Sequence, residues 1–456
     1  MKNKIRYISL LMAVILAAYL FAGCGSGSSG TDSGQASDNG QTAEAGTASN
    51  GEEASDSDNT ASAIDIEIDE DLVGNNGYFV QYKDKVYFHA PTEEGMNETA
   101  LWGNFANTEC GETALFSADV ETGEVELQFY DYCSSKMAKT GDLLMYAGKE
   151  VNYSTGEETD TLGIYSLTGA EYDESMPLGL WLLGADDYGH YVVGYYFNGN
   201  AEDEDYGYHI QPIKDGNYLD EIKMDDSISF VGIAGDELIY SVFTYVEGSD
   251  GDETCDYLYQ INMVTGEINK LGTLPGDELA YGSFDQFEYE DGCIYMTYGF
   301  YEGTGSFYSG SYNLKATLGE EDSLEVLGMN DYDEESVASP AFYVENGEMI
   351  TCDGIPMTAA VVDDDLGYYD EKGNFIAVES GFGTLAEDED NAEPMINVDV
   401  AELLGDYIYY VQNVSYHMPE YDVGWRYAYM RETTNVRRIN IKTGEIENLV
   451  QVDRAM

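Results

Sequence analysis

Short apolar runs, each introduced by a polar turn pair, recur along most of the chain after about the first sixty residues. The clearest unit begins with Gly235-Asp236, continues into the apolar run Glu237 to Val242, and resumes after an acidic stretch as Leu258 to Leu271. A Gly-Asp pair before β-branched and aromatic residues is typical of a turn that leads into a strand. Val264-Thr265-Gly266-Glu267 lies between two apolar runs and predicts a tight hairpin whose glycine takes positive φ. The unit therefore predicts most of a small antiparallel sheet.

The same turn and strand signal occurs seven times, at a mean step of about 54 residues. The second residues of the seven turn pairs are Asp84, Asp142, Gly189, Asp236, Gly292, Gly347 and Asp406. The second hairpin recurs with its glycine at Gly123, Gly169, Gly216, Gly266, Gly373 and Gly444. In the fifth unit this hairpin is degenerate, and Thr317 to Glu320 is its nearest match. Turn, strand, loop and hairpin in this order predict four strands per unit.

These repeats predict an all-β fold, a seven-bladed β-propeller of four-stranded antiparallel blades over residues 63–456. Neighbouring blades cover each other, which explains strands that are apolar on both faces, such as Tyr407 to Val411. A pair of β-sandwiches or unrelated meanders is the alternative, but a near-constant repeat is not typical of sandwiches. Propeller loops alternate between two ends. We therefore expect the Gly-Asp and Thr-Gly-Glu turns at one end, the short-turn end, and the loops between second and third strands at the other, the long-loop end.

The last unit combines Tyr407-Ile408-Tyr409-Tyr410 with Arg438-Ile439-Asn440 and the turn Thr443-Gly444-Glu445. In this combination it resembles bacterial secreted propellers related to low-density-lipoprotein-receptor-type and TolB-like repeats. The resemblance spans the folded region and implies a propeller fold. Its motifs are structural turns, so it implies no catalytic residue.

The N-terminus has the pattern of a bacterial lipoprotein signal. Basic residues precede the apolar run Ile8 to Phe21, which is short for a membrane span and is followed by Ala22-Gly23-Cys24. The pattern predicts a signal peptide over residues 1–23 and a diacylglycerol on Cys24, although Phe21 stands where Leu is usual. An ordinary secretory peptide with an incidental cysteine is the alternative. The predicted location is the extracellular face of the bacterial cell membrane.

Residues 24–62 are rich in Gly, Ser, Thr, Ala, Asn and Asp and have almost no apolar bulk, so they predict a disordered tether. A flexible chain of this length spans on the order of 35 Å. The formal net charge of the whole chain is −69, which disfavours nucleic acid and anionic lipid headgroups as partners. The charge either gathers cations and basic ligands or serves solubility. We expect a monomer whose only membrane contact is the N-terminal lipid.

Of the six cysteines, Cys24 is assigned to the lipid. Cys110 and Cys133 lie nearly symmetrically about the Thr122-Gly123 turn, which predicts a disulfide between adjacent strands. Cys293 and Cys352 have strand contexts and are predicted to be buried. No Cys-x-x-Cys occurs, so the sequence does not indicate a zinc or redox site of that kind.

The predicted long loops carry acidic clusters: Glu93 and Glu94, Glu202 to Asp205, Asp250 with Asp252 and Glu253, and Asp363 to Asp365. Clustered carboxylates suit calcium, but none has the EF-hand ligand spacing, so solvated loops remain the alternative. No cofactor is expected apart from this possible calcium.

The seventh long loop, residues 416–431, differs in kind, and we call it the aromatic loop. It is predicted to bind a ligand through His417, Tyr421, Trp425, Arg426, Tyr427 and Arg431. Aromatic rings stack on sugars or peptides, and Arg pairs with carboxylates. The alternative is that these rings pack the loop onto its blade.

Catalytic motifs are scarce. The four histidines, assigned to different units, have no metal-ligand spacing, and Gly-x-Ser-x-Gly and His-Glu-x-x-His do not occur. Two hypotheses follow: a non-catalytic module that binds or scaffolds an extracellular glycan, peptide or protein, or a glycan- or peptide-processing enzyme with carboxylates at the channel mouth. A close pair of acids in a concave setting would favour the enzyme.

Overall fold

The structure is a computed structural model that describes residues 66, 68–98, 101–103, 113–131, 133–152, 157–169, 180–199, 206–224, 226–247, 252–275, 281–301, 310–331, 340–382, 395–417 and 428–454. These residues all lie in one compact unit, Ala61–Met456. Its strands, numbered β1 to β31 in chain order, form eight antiparallel sheets in this part of the chain. The prediction of an all-β fold is confirmed.

The first half of the unit contains four sheets. Sheet 1 has the order β1 (Leu72–Val73), β2 (Val80–Tyr82), β3 (Lys85–Pro91), β5 (Thr113–Asp119), β6 (Val125–Asp131). Sheet 2 consists of β7 (Cys133–Thr140), β8 (Leu143–Asn152), β9 (Glu157–Ser166). Sheet 3 consists of β10 (Trp181–Ala185), β11 (Tyr191–Asn198), β12 (Gly207–Lys214), β13 (Asn217–Tyr218) and β14 (Ile222–Met224), the last two on β12. Sheet 4 consists of β15 (Ser229–Ala234), β16 (Glu237–Glu247), β17 (Asp252–Asn262), β18 (Ile268–Thr273).

The second half contains the other four sheets. Sheet 5 consists of β19 (Tyr281–Glu290), β20 (Cys293–Tyr301), β21 (Gly310–Thr317), β22 (Glu325–Asp331). Sheet 6 consists of β23 (Ala341–Glu345) and β24 (Glu348–Cys352), and sheet 7 of β25 (Ala359–Val362), β26 (Asp365–Tyr369), β27 (Phe375–Ser380). Sheet 8 consists of β28 (Met395–Leu404), β29 (Tyr407–His417), β30 (Ala428–Asn440), β31 (Ile446–Asp453), with β4 (Leu101–Gly103) added to β30. The helix α1 (Glu93–Glu98) precedes β4. Among the described residues, no helix is long and apolar enough to cross a membrane.

The second hairpins form as the sequence predicts in every unit except the second, where the residues after Gly169 lie outside the described part of the chain. The glycine of every predicted second hairpin, including Gly319 in the degenerate fifth unit, has positive φ. In the clearest unit Gly266 has φ 72°, and the Asn262 side-chain oxygen accepts from the backbone N–H groups of Val264 and Thr265 at 3.1 and 2.9 Å. Asn440 caps the last unit in the same way. An Asx residue three positions before Thr therefore holds these turns, because its side chain replaces backbone partners that the turn lacks.

The predicted grouping of turns at one end is confirmed by backbone hydrogen bonds within the sheets. Met263 N donates to Asp236 O at 2.9 Å in sheet 4, and Ile441 N donates to Asp406 O at 3.0 Å in sheet 8. The first turn and the second hairpin of each of these sheets are therefore adjacent, at the short-turn end. The connections between second and third strands leave from the opposite end.

Apolar clusters fill the interfaces between successive sheets, and one of them joins the last sheet to the first. Separate clusters lie between sheets 2 and 3, 3 and 4, 4 and 5, and 7 and 8. Sheet 5 is tied to sheet 6 by Gln286, whose side-chain amide donates to Phe342 O at 2.6 Å and accepts from Phe342 N at 3.0 Å. The largest cluster joins sheets 8, 1 and 2, and in it the rings of Phe79 and Tyr409 lie 5.6 Å apart.

Three local predictions are wrong. The sixth unit does not form one four-stranded sheet, because β26 pairs with β25 instead of β24 and the unit splits into sheets 6 and 7. Asp363 and Asp364 are not in an open loop but form the tight turn of the β25–β26 hairpin, with φ 50° and 71°. Cys293 and Cys352 are half-buried free thiols and not buried ones, since each lies in a strand whose cover is incomplete.

Candidate functional site

The segment from Asp69 to Phe79, which we call the bridging segment, crosses three sheets at the short-turn end. Asn75 makes three hydrogen bonds there: its amide donates to Lys139 O at 3.2 Å and Asp186 O at 2.6 Å, and its oxygen accepts from Lys139 N at 2.6 Å. Asn75 thereby joins β7 of sheet 2 to the turn that follows β10 of sheet 3. Gly74 and Gly77 allow the bridging segment to pack closely against sheet 8. A Cβ at Gly74 would lie within 3 Å of Leu404, and a Cβ at Gly77 would lie within 3 Å of Glu402.

Glu402 fastens the bridging segment to the last sheet. Its two carboxylate oxygens accept from the backbone N–H groups of Tyr78 and Phe79 at 2.7 and 2.9 Å. Burial raises the pKa of Glu402, while these two N–H groups and the Lys136 ammonium act in the opposite direction. This carboxylate therefore has a structural role in joining the first and last sheets.

Two further carboxylates, Asp187 and Glu288, belong to the same end of sheets 3 and 5 and interact electrostatically. Burial raises the pKa of both groups, and the negative charge of Asp187 raises that of Glu288 further. Lys136 acts in the opposite direction on Asp187. Asp187 is exposed and Glu288 is half-buried. We call Lys136, Asp187 and Glu288 the acid pair cluster.

The neighbouring Asp186 is buried and caps the turn that carries the pair. Its carboxylate accepts from the backbone N–H groups of Gly189 and His190 at 2.9 and 3.0 Å. Burial raises the pKa of Asp186 to about 6, although these N–H groups and His190 favour the charged form. Asp186 thus holds the backbone that presents Asp187.

The aromatic loop lies mainly outside the described residues, but the strands that carry it are described. His417 pairs with Tyr429, and Arg431 pairs with Ser415, so both predicted ligand residues are in the β29–β30 ladder. Tyr421, Trp425, Arg426 and Tyr427 lie outside the described residues. Pairing of Trp102 in β4 with Tyr429 adds a strand from the first unit to the base of this loop, which the sequence did not predict.

A row of polar side chains lies beneath the aromatic loop. Asn413 donates to the Asp399 carboxylate, and Thr434 Oγ1 donates to Asn413 Oδ1 at 2.6 Å, which joins three neighbouring strands of sheet 8. Asn413 and Thr434 are 1% and 2% exposed, so these hydrogen bonds are formed away from water. Because these buried polar groups are hydrogen-bonded to one another, they favour a single arrangement of the strands that carry the aromatic loop.

The histidines whose side chains are described, His89, His190 and His209, take part in no group placed to hold a metal ion. His190 and His209 belong to the same sheet, which corrects their assignment to different units: His190 directly precedes β11, which pairs with β12, the strand of His209. Each contacts a carboxylate, His190 Nδ1 at 2.7 Å from Asp215 and His209 Nδ1 at 2.6 Å from Glu221. Burial lowers the pKa of His89 to about 3, so this side chain is neutral at physiological pH.

The predicted lipidation and disulfide cysteines lie wholly or partly outside the described residues. Cys24 and Cys110 are not among the described residues, and only the backbone of Cys133 is described, so the lipidation and the disulfide stay predictions. Within the described ranges, no group of three His, Cys, Asp or Glu side chains is placed to hold a metal ion. The whole acidic run from Glu202 to Asp205 lies beyond those ranges.

No family model and no curated protein matches the chain. Solved structures to which it is similar include a PL25 ulvan lyase, at 12% identity and a TM-score of 0.38, covering 79% of this chain and 96% of that one. The β-propeller domain of the trilobed protease from Pyrococcus furiosus has 11% identity and a TM-score of 0.31, covering 69% and 94%. The periplasmic gluconolactonase of Pseudomonas aeruginosa has 9% identity and a TM-score of 0.30, covering 78% and 96%. All three TM-scores are below 0.5, and the fold follows from the sheets of this chain alone.

Proposed function

We propose that this chain is a lipid-anchored lipoprotein whose seven-bladed propeller is a non-catalytic binding module for an extracellular glycan, peptide or protein. The observation that carries the proposal is the opposite placement of two features. The bridging segment is fixed at the short-turn end, where Asp69 pairs with Lys139 at 2.8 Å, whereas β29 and β30 lead to the aromatic loop at the other end.

Seven blades account for the order of the sheets. Sheets 1 to 5 and sheet 8 are one blade each, and sheets 6 and 7 together are the sixth of seven. The contact of sheet 8 with sheet 1 supports a closed ring, held by Glu402, Phe79 and Tyr409 and by the pairing of β4 from the first unit with β30 of the last. Contacts between the first strands of sheets 3, 4, 5 and 6 support their place around a central channel.

The position of the bridging segment supports a point of attachment. A tether that begins at a lipidated Cys24 would join the folded unit at the short-turn end, near Asp69. The aromatic loop belongs to the opposite end of the folded unit, where the tether does not compete with an extracellular ligand. The acidic surface disfavours anionic ligands except near Arg426 and Arg431, so neutral glycans and basic peptides are the proposed ligand class. Calcium binding by the acidic loops stays a prediction.

An enzyme of the glycan- or peptide-processing type is the second candidate, and the acid pair cluster is the observation that favours it. Two carboxylates whose pKa values are raised by burial suit a general acid and a general base. Glu402, Asp186 and Glu290 bond to backbone N–H groups and therefore have structural roles. Asp187 and Glu288, the latter bonded to the Gln286 side chain at 3.5 Å, are the candidate pair of this region.

Binding distinguishes the two candidates. We expect Trp425→Ala to weaken binding of a glycan or peptide, found by array screening of residues 25–456, by about tenfold, because a stacked aromatic is typical of a binding hot spot. Tyr206→Ala is the matched control, since Tyr206 is a 46%-exposed aromatic at the long-loop end of sheet 3. Affinities are measured by calorimetry on folded variants. Equal affinity for Trp425→Ala and the parent would argue against the aromatic loop, and turnover lost in Asp187→Asn and Glu288→Gln would favour the enzyme.

Membrane attachment is tested separately. We expect Cys24→Ala to move the protein from the membrane fraction to the soluble fraction, because a stable anchor requires the two acyl chains of a diacylglycerol. The measurement is immunoblotting of fractionated cells, with Cys293→Ala as the control thiol variant. Retention of Cys24→Ala in the membrane fraction would contradict the lipoprotein assignment.

A further inference from the structure

The second strand of sheet 6, β24, has an unpaired outer edge. In the other described units the second strand pairs with strands on both sides. In sheet 4 the second strand, β16, pairs with β17 over its whole length, from Glu237 with Asn262 to Glu247 with Asp252. In the sixth unit the third strand, β26, pairs with β25, and β24 pairs with β23 alone. Residues 340–382 are all described, so the chain before and after β24 is known.

The register of the β23–β24 hairpin identifies the groups on this edge. Asn346 and Gly347 form a two-residue turn with φ 55° and 78°, and Glu345 pairs with Glu348 across it. The closing pair of such a hairpin exchanges hydrogen bonds, and the next pair does not. The backbone groups of Met349 and Thr351 therefore point away from β23. Neither has a backbone partner in the described part of the chain.

We propose that the outer edge of β24 binds a basic, extended peptide of a partner protein as an added antiparallel strand. A strand of five residues matches the length of β24 from Glu348 to Cys352, and its backbone would supply the bonds that β17 supplies to β16. This site is separate from the aromatic loop and does not depend on the function proposed above.

The surroundings of the edge determine the class of peptide. A concavity of about 300 Å³ adjoins it, lined by Tyr343, Thr351, Cys352, Asp353, Lys372 and Asn374. Three exposed carboxylates flank the edge: Glu348 in β24, Asp353 just beyond it, and Glu345 across the turn in β23. Lys372 is the one basic residue among the described residues that line the concavity. Opposite charges facing each other across a sheet edge stabilise strand pairing, and like charges oppose it. Lys and Arg side chains of an incoming strand would therefore pair with these carboxylates.

The experiment selects peptides from a random 12-residue library on the lipid-free chain, residues 25–456, and measures binding of the selected synthetic peptides to two variants. Thr351→Pro removes the outward N–H of the edge, whereas Thr351→Val keeps it and removes the hydroxyl. We expect the selected peptides to be rich in Lys or Arg and in β-branched residues. They should bind Thr351→Val like the parent and Thr351→Pro about tenfold more weakly, because proline cannot donate to the ladder and also clashes with it.

A second measurement keeps the test decisive if Thr351→Pro fails to fold. Addition of a selected peptide to the parent should protect the amides of Met349 and Thr351 from hydrogen exchange, and Glu348→Lys should weaken binding. Equal binding to both Thr351 variants, or no protection of these amides, would overturn the proposal. Concentration-dependent dimers of the parent that are lost in Thr351→Pro would also overturn it, because a second copy of the chain would then be the occupant.

Discussion

Replacement of Arg438 by Ala is expected to destabilise the protein by about 2 to 5 kcal/mol, the cost typical of truncating a large, fully buried side chain to Ala. The Arg438 side chain is 0% exposed and lies in sheet 8 against sheet 1. It pairs with Glu447 at 2.7 Å, donates to Val120 O at 2.6 Å, and lies 4.4 Å from the centre of the Tyr407 ring. Its loss leaves a carboxylate and a carbonyl unpaired and opens the interface between the first and last sheets.

The measurement is the free energy of unfolding in urea, followed by tyrosine fluorescence and circular dichroism. Arg437→Ala is the matched control, because Arg437 is adjacent in β30 but only half-buried, with a 3.3 Å bond to Asn448 at the surface. We expect that control to change the free energy of unfolding by less than about 1 kcal/mol. A parent-like unfolding curve for Arg438→Ala would show that the interface between the first and last sheets does not depend on this ion pair.

The buried carboxylate of Asp186 is expected to produce a pH-dependent stability difference. Its pKa is raised from 3.8 to about 6 in the folded protein, so the folded state binds the proton more tightly than the unfolded state. Ionisation of Asp186 therefore costs stability as the pH rises between about 4 and 6, and the cost is complete above pH 6. From the size of this shift, Asp186→Asn should relieve up to about 3 kcal/mol at pH 7 and little at pH 4.

Urea unfolding of the parent and Asp186→Asn at pH 4.0, 5.0, 6.0 and 7.0 measures this difference. Asp220→Asn removes the same formal charge at an exposed position and controls for the change in net charge. The Asn oxygen can still accept from the N–H groups of Gly189 and His190, so the turn is retained. A stability difference that is constant from pH 4 to pH 7 would contradict the raised pKa.

The local signals were strong enough to predict the hairpins but not the pairing of the sixth unit. Gly266 and Asn262 lie within one turn, so the positive φ and the cap depend only on neighbours in the chain. The repeat signal at Asn346-Gly347 was equally clear, and that hairpin forms. The pairing of β24 depends on β25, which takes the place beside β26 that the repeat assigns to β24.

The sequence by itself determined the all-β class, the repeating turns and their common end, because turn chemistry and strand alternation act over a few residues. The tertiary structure alone decided how the last sheet meets the first, through Glu402 and Arg438, and which carboxylates interact. Asp187 and Glu288 are about a hundred residues apart in a chain with 88 acidic residues, so no pattern separates them from the others. Contacts between distant strands depend on the packing of whole sheets, and a single sequence records that packing only through burial at each position.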